Sequence, residues 1–386
     1  MTNNDLFNLK IGYANAKNPI ALAPMAGITD SNFAKKIARH AGLVILGGYN
    51  LDEETNKVAK KLVARGRTEF ILENPMEYIN KELDAMDNSG MCVALNVRSA
   101  TLEPLIEAAN LAKEHNAILE LDAHCRQPEM KKIGVGESLL FQIEKLKEWI
   151  KEIKKTGVVL SVKTRAHIVD DLELAIAIEI AGADLIHIDT MKNSKADLRV
   201  IKKTRNATNL FIIGNNSVVD FESAKRMFSY GADMVSIARA CLKNPKVFEQ
   251  VSNAVIEFQK MTGWYNAPKH ICAGGDLRAL AFCCLPVKPC AIQIVLKNLG
   301  ITPQEFMKLK MDFAKNTPLK YGDITCFGTM TWCCKITKPC FMRDSVLSII
   351  NMSDAEYMQW KKKLSEYILD KVRYMENYSI SNKFLQ

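Results

Sequence analysis

Short apolar runs alternate with amphipathic helical patterns eight times between the N-terminus and residue 258, and this alternation restricts the fold more than any other feature. The runs are 20–26, 43–47, 91–97, 117–125, 158–165, 184–190, 209–214 and 233–238. Each is short and rich in Val, Ile and Leu, as strands covered on both faces should be. Helical spacing appears at 30–41, 102–115, 137–155 and 221–230, and the Gly-Ala-Asp steps at Gly182 and Gly231 mark helix ends feeding the next strand. Eight such units in about 250 residues suit a (β/α)8 barrel. A doubly wound sheet is the rival, but no G-x-G-x-x-G follows the first run. The expected fold is α/β: a TIM barrel over residues 1–258, then a small, mainly helical, cysteine-rich metal-binding domain over 259–386.

Chemistry in such a barrel belongs at the C-terminal strand ends. Those ends carry Pro24, Met25 and Ala26; Asn96 and Arg98; Asp122, His124 and Cys125; Lys163 and Arg165; His187 and Asp189; Asn215 and Asn216; and Arg239. This is a polar, mostly cationic rim, suited to an anionic ligand. Lysine and arginine in such a mouth require something negative opposite.

Eight of the eleven cysteines fall between Cys272 and Cys340, and they repeat. Cys283-Cys284-Leu285-Pro286-Val287-Lys288-Pro289-Cys290 is matched by Cys333-Cys334-Lys335-Ile336-Thr337-Lys338-Pro339-Cys340, with Cys272 and Cys326 upstream. Four thiols complete the first shell of an iron–sulfur cluster or of zinc. Zinc sites usually show C-x2-4-C pairs, and none occurs here. Adjacent cysteines are awkward for one tetrahedral ion and easier for a cubane with several iron corners. The expectation is two [4Fe–4S] clusters, with zinc as the alternative.

The N-terminal segment has no apolar signal-like stretch, and no run of about 18 apolar residues follows, so a cytoplasmic chain without a membrane span is expected. The formal charge is +9 over 386 residues, which fits a polyanion such as RNA, although a lysine-rich proteome gives the same balance.

Ala23-Pro24-Met25-Ala26-Gly27-Ile28-Thr29-Asp30, followed by Phe33, resembles the opening signature of the tRNA-dihydrouridine synthases, an FMN-dependent TIM-barrel family. The likeness continues in order. Leu119 to Cys125 stands where that family has L-N-x-G-C-P, and Gly134-Val135-Gly136-Glu137-Ser138-Leu139-Leu140 is similar to its G-x-G-x-x-L-L. Val162-Lys163-Thr164-Arg165 is similar to V-K-x-R. Gly214-Asn215-Asn216 and Ala238-Arg239-Ala240 correspond to its phosphate-binding N-G-D and G-R-G segments.

The resemblance implies roles. Pro24, Met25 and Ala26 would lie against the flavin ring, Asn96 at its edge, and Lys163 by its N1/O2 side. Asn215, Asn216, Ala238 and Arg239 would hold its phosphate. Cys125 would be the general acid, its acidity set by Asp122 and His124 on one side and Lys163 and Arg165 on the other, with His124 the next candidate donor. The departures touch both sides: in the phosphate segments Ala238 and Ala240 replace the glycines of G-R-G and Asn216 replaces a glycine, while toward the substrate His124 and Arg126 replace Gly and Pro around the thiol, Ala34 follows Phe33 where arginine is expected, and Asp189 takes a histidine position.

The cysteine-rich part resembles the methanogenesis marker 9 domain in its paired CC-x3-K-P-C. Helices are expected at 291–299 and 304–314, the second opened by a Thr302-Pro303-Gln304-Glu305 capping box, and after Ser353-Asp354-Ala355-Glu356. The function expected is an FMN- and iron–sulfur-dependent reductase of a C=C bond, in a tRNA uridine or a small molecule, fed by a one-electron donor such as ferredoxin. The alternative is a non-catalytic RNA-binding barrel with structural zinc.

Overall fold

The computed structural model describes residues 9–193, 195–208, 210–262 and 300–318, with isolated positions between 351 and 371. The barrel forms one compact unit, Asn8–Ala254; described residues from Val255 onward belong to a second. The eight expected cysteine ligands and the expected helix at 291–299 lie outside the described residues.

A short antiparallel hairpin, β1 (Leu9–Ile11) and β2 (Ala14–Ala16), opens the chain. The barrel strands are β3 (Ile20–Leu22), β4 (Leu43–Asn50), β5 (Cys92–Arg98), β6 (Ile118–Asp122), β7 (Leu160–Arg165) and β8 (Leu185–Asp189). A small ribbon, β9 (Met191–Lys192) with β10 (Lys195–Ala196), precedes the last two, β11 (Phe211–Asn215) and β12 (Met234–Ile237). All barrel neighbours are parallel and the sheet closes through β12 against β3, so the expected TIM barrel is the observed one.

Helices α1 (Ser31–Ile37), α2 (Glu53–Ala64), α3 (Pro75–Met86), α4 (Glu103–Glu114), α5 (Pro128–Lys132), α6 (Ile143–Lys155), α7 (Asp171–Ala181), α8 (Arg199–Ala207), α9 (Phe221–Ser229), α10 (Ala240–Lys243) and α11 (Val247–Thr262) connect or follow the strands. Two of them, α2 and α3, fill the β4–β5 connection. The helical stretch expected at 137–155 is a 3-10 turn, Gly136–Phe141, followed by α6. Gly182 caps α7 at φ 103°, a left-handed position that glycine occupies without Cβ strain. In the second unit, α12 (Pro303–Ala314) starts at the expected capping box: Thr302 N donates to Glu305 Oε2 at 2.7 Å and Glu305 N to Thr302 Oγ1 at 3.2 Å. Ser353 and Glu356 form the same reciprocal pair.

The hairpin determines which end of the barrel works. Leu9, Ile11, Ala14 and Ala16 pack with Ala21, Leu43, Ile118, Leu185 and Phe211, residues at the starts of the strands, and so plug that end with apolar side chains. Toward the strand ends the inward residues turn polar: Asn96, Glu120, Ser161, Lys163, His187 and Ser236 are all buried.

Candidate active site at the strand ends

The centre of the polar layer is Glu120, fully buried on β6. Its carboxylate accepts from Asn96 Nδ2 at 2.9 Å and Ser161 Oγ at 3.0 Å, and meets His187 Nδ1 at 2.8 Å. His187 Nε2 lies 2.8 Å from Ser236 Oγ, which also accepts from Asn215 Nδ2 at 2.6 Å. A Nδ1–H tautomer of His187 satisfies the chain: it donates to Glu120 and accepts from the Ser236 hydroxyl. Burial raises the Glu120 carboxyl, but His187, Lys163 and the Asn96 amide outweigh burial and bring it from its ordinary 4.5 down to about 2. Burial and the Lys163 charge push the His187 imidazole down, which favours its neutral form.

A pH dependence follows. A carboxyl depressed in the folded state adds stability above its unfolded value, and that stability is lost as pH falls through the folded value. The Glu120 contribution should be whole above about pH 4.5 and decay toward pH 2. Urea midpoints of the wild type should fall across this window, and Glu120→Gln should flatten the fall. Equal slopes would exclude the assignment.

Lys163 sits one step nearer the mouth, paired in register with Asp122 on β6 and His187 on β8. It is 4% exposed, and among the described residues no hydrogen-bond or ion-pair partner reaches its Nζ. Burial lowers its pKa against the pull of Glu120, Asp122 and Asp189.

The strand expected at 117–125 ends at Asp122 because that side chain turns back, accepting from His124 N at 2.9 Å and Cys125 N at 3.1 Å. The two following side chains diverge. Cys125 packs with Ala100 and Ile133 against the apolar cluster of Val58, Ala59, Leu62, Met130 and Val135. Burial, aided by Asp122 and Glu69 and opposed by Arg98, raises its thiol pKa, so the thiol is protonated. The cation that opposes burial is Arg98, not the Lys163 and Arg165 named from sequence. Arg98 is buried, donating to Asn50 Oδ1 at 2.7 Å and to Glu69, with Asp122 at 3.6 Å.

His124 turns the other way, across β7 to β8, where its Nε2 lies 2.9 Å from Asp189 Oδ2. Asn216 Nδ2 donates to Asp189 Oδ1 at 2.8 Å, and Met191 N donates to the same oxygen at 3.1 Å. Burial raises Asp189, yet His124 and Asn216 hold it well below the usual carboxylate range. Asn216 and Ser217 follow β11 in left-handed backbone, φ 96° and 59°, a conformation that asparagine tolerates better than most residues. Arg239 is exposed just before α10, and Ala238 beside it is half-buried.

Pro24, Met25 and Ala26 are half-buried beyond β3, where Thr29 Oγ1 accepts from Met25 N at 2.9 Å and donates to Gly47 O at 2.7 Å. Gly48 keeps space open beside them. A Cβ there would stand 3.1 Å from Asn96 Oδ1 and 3.9 Å from Ala26 Cβ.

The mouth is thus less cationic than its sequence suggested: among the described residues, Glu69, Glu120, Asp122 and Asp189 are buried there alongside Arg98 and Lys163. Glu120, Ser161, Ser236 and Glu69 escaped sequence reasoning. The available signal was Glu120 itself, an acid between Leu119 and Leu121 inside an apolar run. Among the described residues one other group, Asp84, Asp87 and His115, has ligand spacing. It lies where α3 and α4 hand over to β5 and β6, at the plugged end, and the His115 ring nitrogens already face Asp87 and Asn80. Also among the described residues, no helix is long and apolar enough to cross a membrane.

Comparison with known proteins agrees with this geometry. An uncharacterised protein of Methanocaldococcus jannaschii is 35% identical over 231 residues, covering 58% of this chain and 89% of that protein. The tRNA-dihydrouridine synthase B of Pasteurella multocida is 26% identical over 261 residues, covering 64% and 73%. In fold, the chain resembles a crystal structure of DHODH from Eimeria tenella in complex with ferulenol, with a TM-score of 0.52 at 14% identity over 69% of this chain and 88% of that one. The family model of dihydrouridine synthase matches residues 21–273. The chain belongs to the dihydrouridine synthase family and is an FMN-dependent oxidoreductase of that type.

Proposed function

We propose that the protein reduces a C=C bond of a uridine in tRNA, or of a small molecule of like chemistry, with FMN at the barrel mouth. The observation that carries this reading is Lys163, a buried residue at the strand ends whose ammonium has no hydrogen-bond or ion-pair partner among the described residues. A cation there suits the N1/O2 side of a flavin, because it stabilises the anionic reduced ring. Two further features fit FMN: the space kept by Gly48 beside Ala26 and Asn96, and the left-handed turn at Asn216 and Ser217 near Arg239.

In this reading Pro24, Met25 and Ala26 line the ring, Asn96 its edge, and Asn215, Asn216, Ala238 and Arg239 the phosphate. Bound FMN, once reduced, supplies a hydride to one carbon of the double bond. The chain's own task is to orient the substrate and deliver a proton to the other carbon. Cys125, kept protonated by burial, and His124 are the groups of this mouth that can carry it.

The cysteines from Cys272 to Cys340 extend the proposal: two [4Fe–4S] clusters would pass single electrons from a donor such as ferredoxin to the flavin. The CC-x3-K-P-C pairs, similar to those of the methanogenesis marker 9 domain, support this.

The protein purified anaerobically should show flavin bands with a broad shoulder near 400 nm, and iron and sulfide in equal amounts. Incubated with unmodified tRNA and a reductant, it should form dihydrouridine. Zinc without iron would remove the clusters, and a spectrum without flavin would remove the reductase. Arg239→Ala should weaken FMN binding by roughly ten- to a hundredfold, the loss of a charge-assisted hydrogen bond. Fluorescence titration checks it, and wild-type affinity would displace the phosphate from this position.

A further inference from the structure

We infer that His124, oriented by Asp189, is the proton donor of the reaction: its Nδ1–H delivers the proton to the substrate carbon that does not receive the hydride. This rests on the reductase reading above and deepens it.

The geometry supports His124 over its neighbour. Cys125 turns toward α2 and α5 and packs on their apolar cluster, and the charges around it are Arg98, Asp122 and Glu69. His124 instead spans the end of β7, the strand carrying Lys163, and reaches Asp189 on β8 at 2.9 Å. Its side chain is 30% exposed. Only Nε2 is engaged, and among the described residues Nδ1 has no hydrogen-bond partner. A carboxylate on one ring nitrogen, with the other nitrogen open, is the arrangement by which an acid–base histidine is held in one orientation and stabilised as imidazolium. Asp189 is anchored in turn by the Asn216 amide and the Met191 backbone N–H, and its ionised form is strongly favoured. Asp189 is therefore a positioning residue, and His124 the group that would touch substrate.

The step balances. The Nδ1–H bond of the imidazolium breaks and a C–H bond forms at one alkene carbon. The other carbon takes the hydride from the reduced flavin, which is oxidised. Neutral imidazole remains, still donating Nε2–H to Asp189, and solvent returns the proton.

The test uses full-length, FMN-loaded enzyme, pre-reduced and mixed in single turnover with unmodified tRNA transcripts or with cyclohex-2-enone, a small activated alkene. Ferricyanide serves as an oxidant that needs no proton. His124→Asn should slow flavin oxidation by the alkene probe about a hundredfold or more and leave the ferricyanide rate unchanged.

Independently of turnover, nitrogen-15 histidine spectra should contain one hydrogen-bonded Nε2–H that vanishes in both His124→Asn and Asp189→Asn. Its absence from the wild type overturns the dyad. A wild-type rate in His124→Asn with a hundredfold loss in Cys125→Ala moves the proton to the thiol. Reduction of cyclohexenone but not tRNA overturns the tRNA substrate and leaves the donor to be read from the same variants. Failure on both probes with FMN bound overturns both readings.

Discussion

Asp233→Ala should destabilise the barrel by about 3–5 kcal/mol, enough to threaten folding in a protein whose total stability is on the order of 5–15 kcal/mol. Asp233 and Arg205 are an ion pair with side chains only 3% exposed. Arg205 also donates to Gly231 O at 2.8 Å and Leu210 O at 3.1 Å, and Asp233 accepts from Ile212 N at 2.9 Å. The pair thus ties α8 to the starts of β11 and β12. Removing the carboxylate takes this counter-ion from a buried guanidinium that the Gly231 and Leu210 carbonyls also hold, and the Ile212 N–H loses its acceptor as well. The loss of a buried ion pair together with its hydrogen bonds sets the size of the effect. Urea unfolding of the two proteins measures it. A difference under about 1 kcal/mol would mean that water reaches the pair and screens it.

Lys163→Met should weaken binding of reduced FMN by roughly ten- to a hundredfold, with a smaller loss for the oxidised form. Methionine fills similar volume, so the apolar packing is kept and the charge alone is lost. The side chain has no hydrogen-bond partner among the described residues, so the change frees no protein acceptor. It does remove the cation facing Glu120, Asp122 and Asp189. Those carboxylates then face the flavin without that cation and disfavour its anionic reduced form. Unequal affinities for the two forms appear as a lower reduction potential, by roughly 30 mV for each 1.4 kcal/mol in a two-electron couple. A potentiometric titration that finds the wild-type value would place Lys163 away from the flavin and leave it a structural cation of the polar layer.

The sequence carried the barrel because eight strands with both faces covered must be apolar almost throughout, and that pattern survives without any knowledge of contacts. The same logic ranked the strand ends as the site. Local chemistry was readable where it depends on neighbours in the chain: the capping boxes at Thr302 and Ser353, and the helix end at Gly182, are visible as three- or four-residue patterns. The burial that protonates Cys125 was not readable. It comes from α2 and α5, which the chain brings to the thiol from positions 53–64 and 128–132.

What only the tertiary structure decided is how charges pair across the barrel. Glu120 looked like an isolated acid in a strand, yet it gathers Asn96, Ser161 and His187 from three other strands. Arg98 looked like one more rim cation, yet Glu69 arrives from the β4–β5 connection to neutralise it. His124 and Cys125 are adjacent in the chain, but the turn at Asp122 sends one toward Asp189 and the other into an apolar cluster. Residue types and periodicity determine which side chains reach the mouth of the barrel. Partnership there is set by strand register and loop path, because groups far apart in sequence meet only when the sheet has closed.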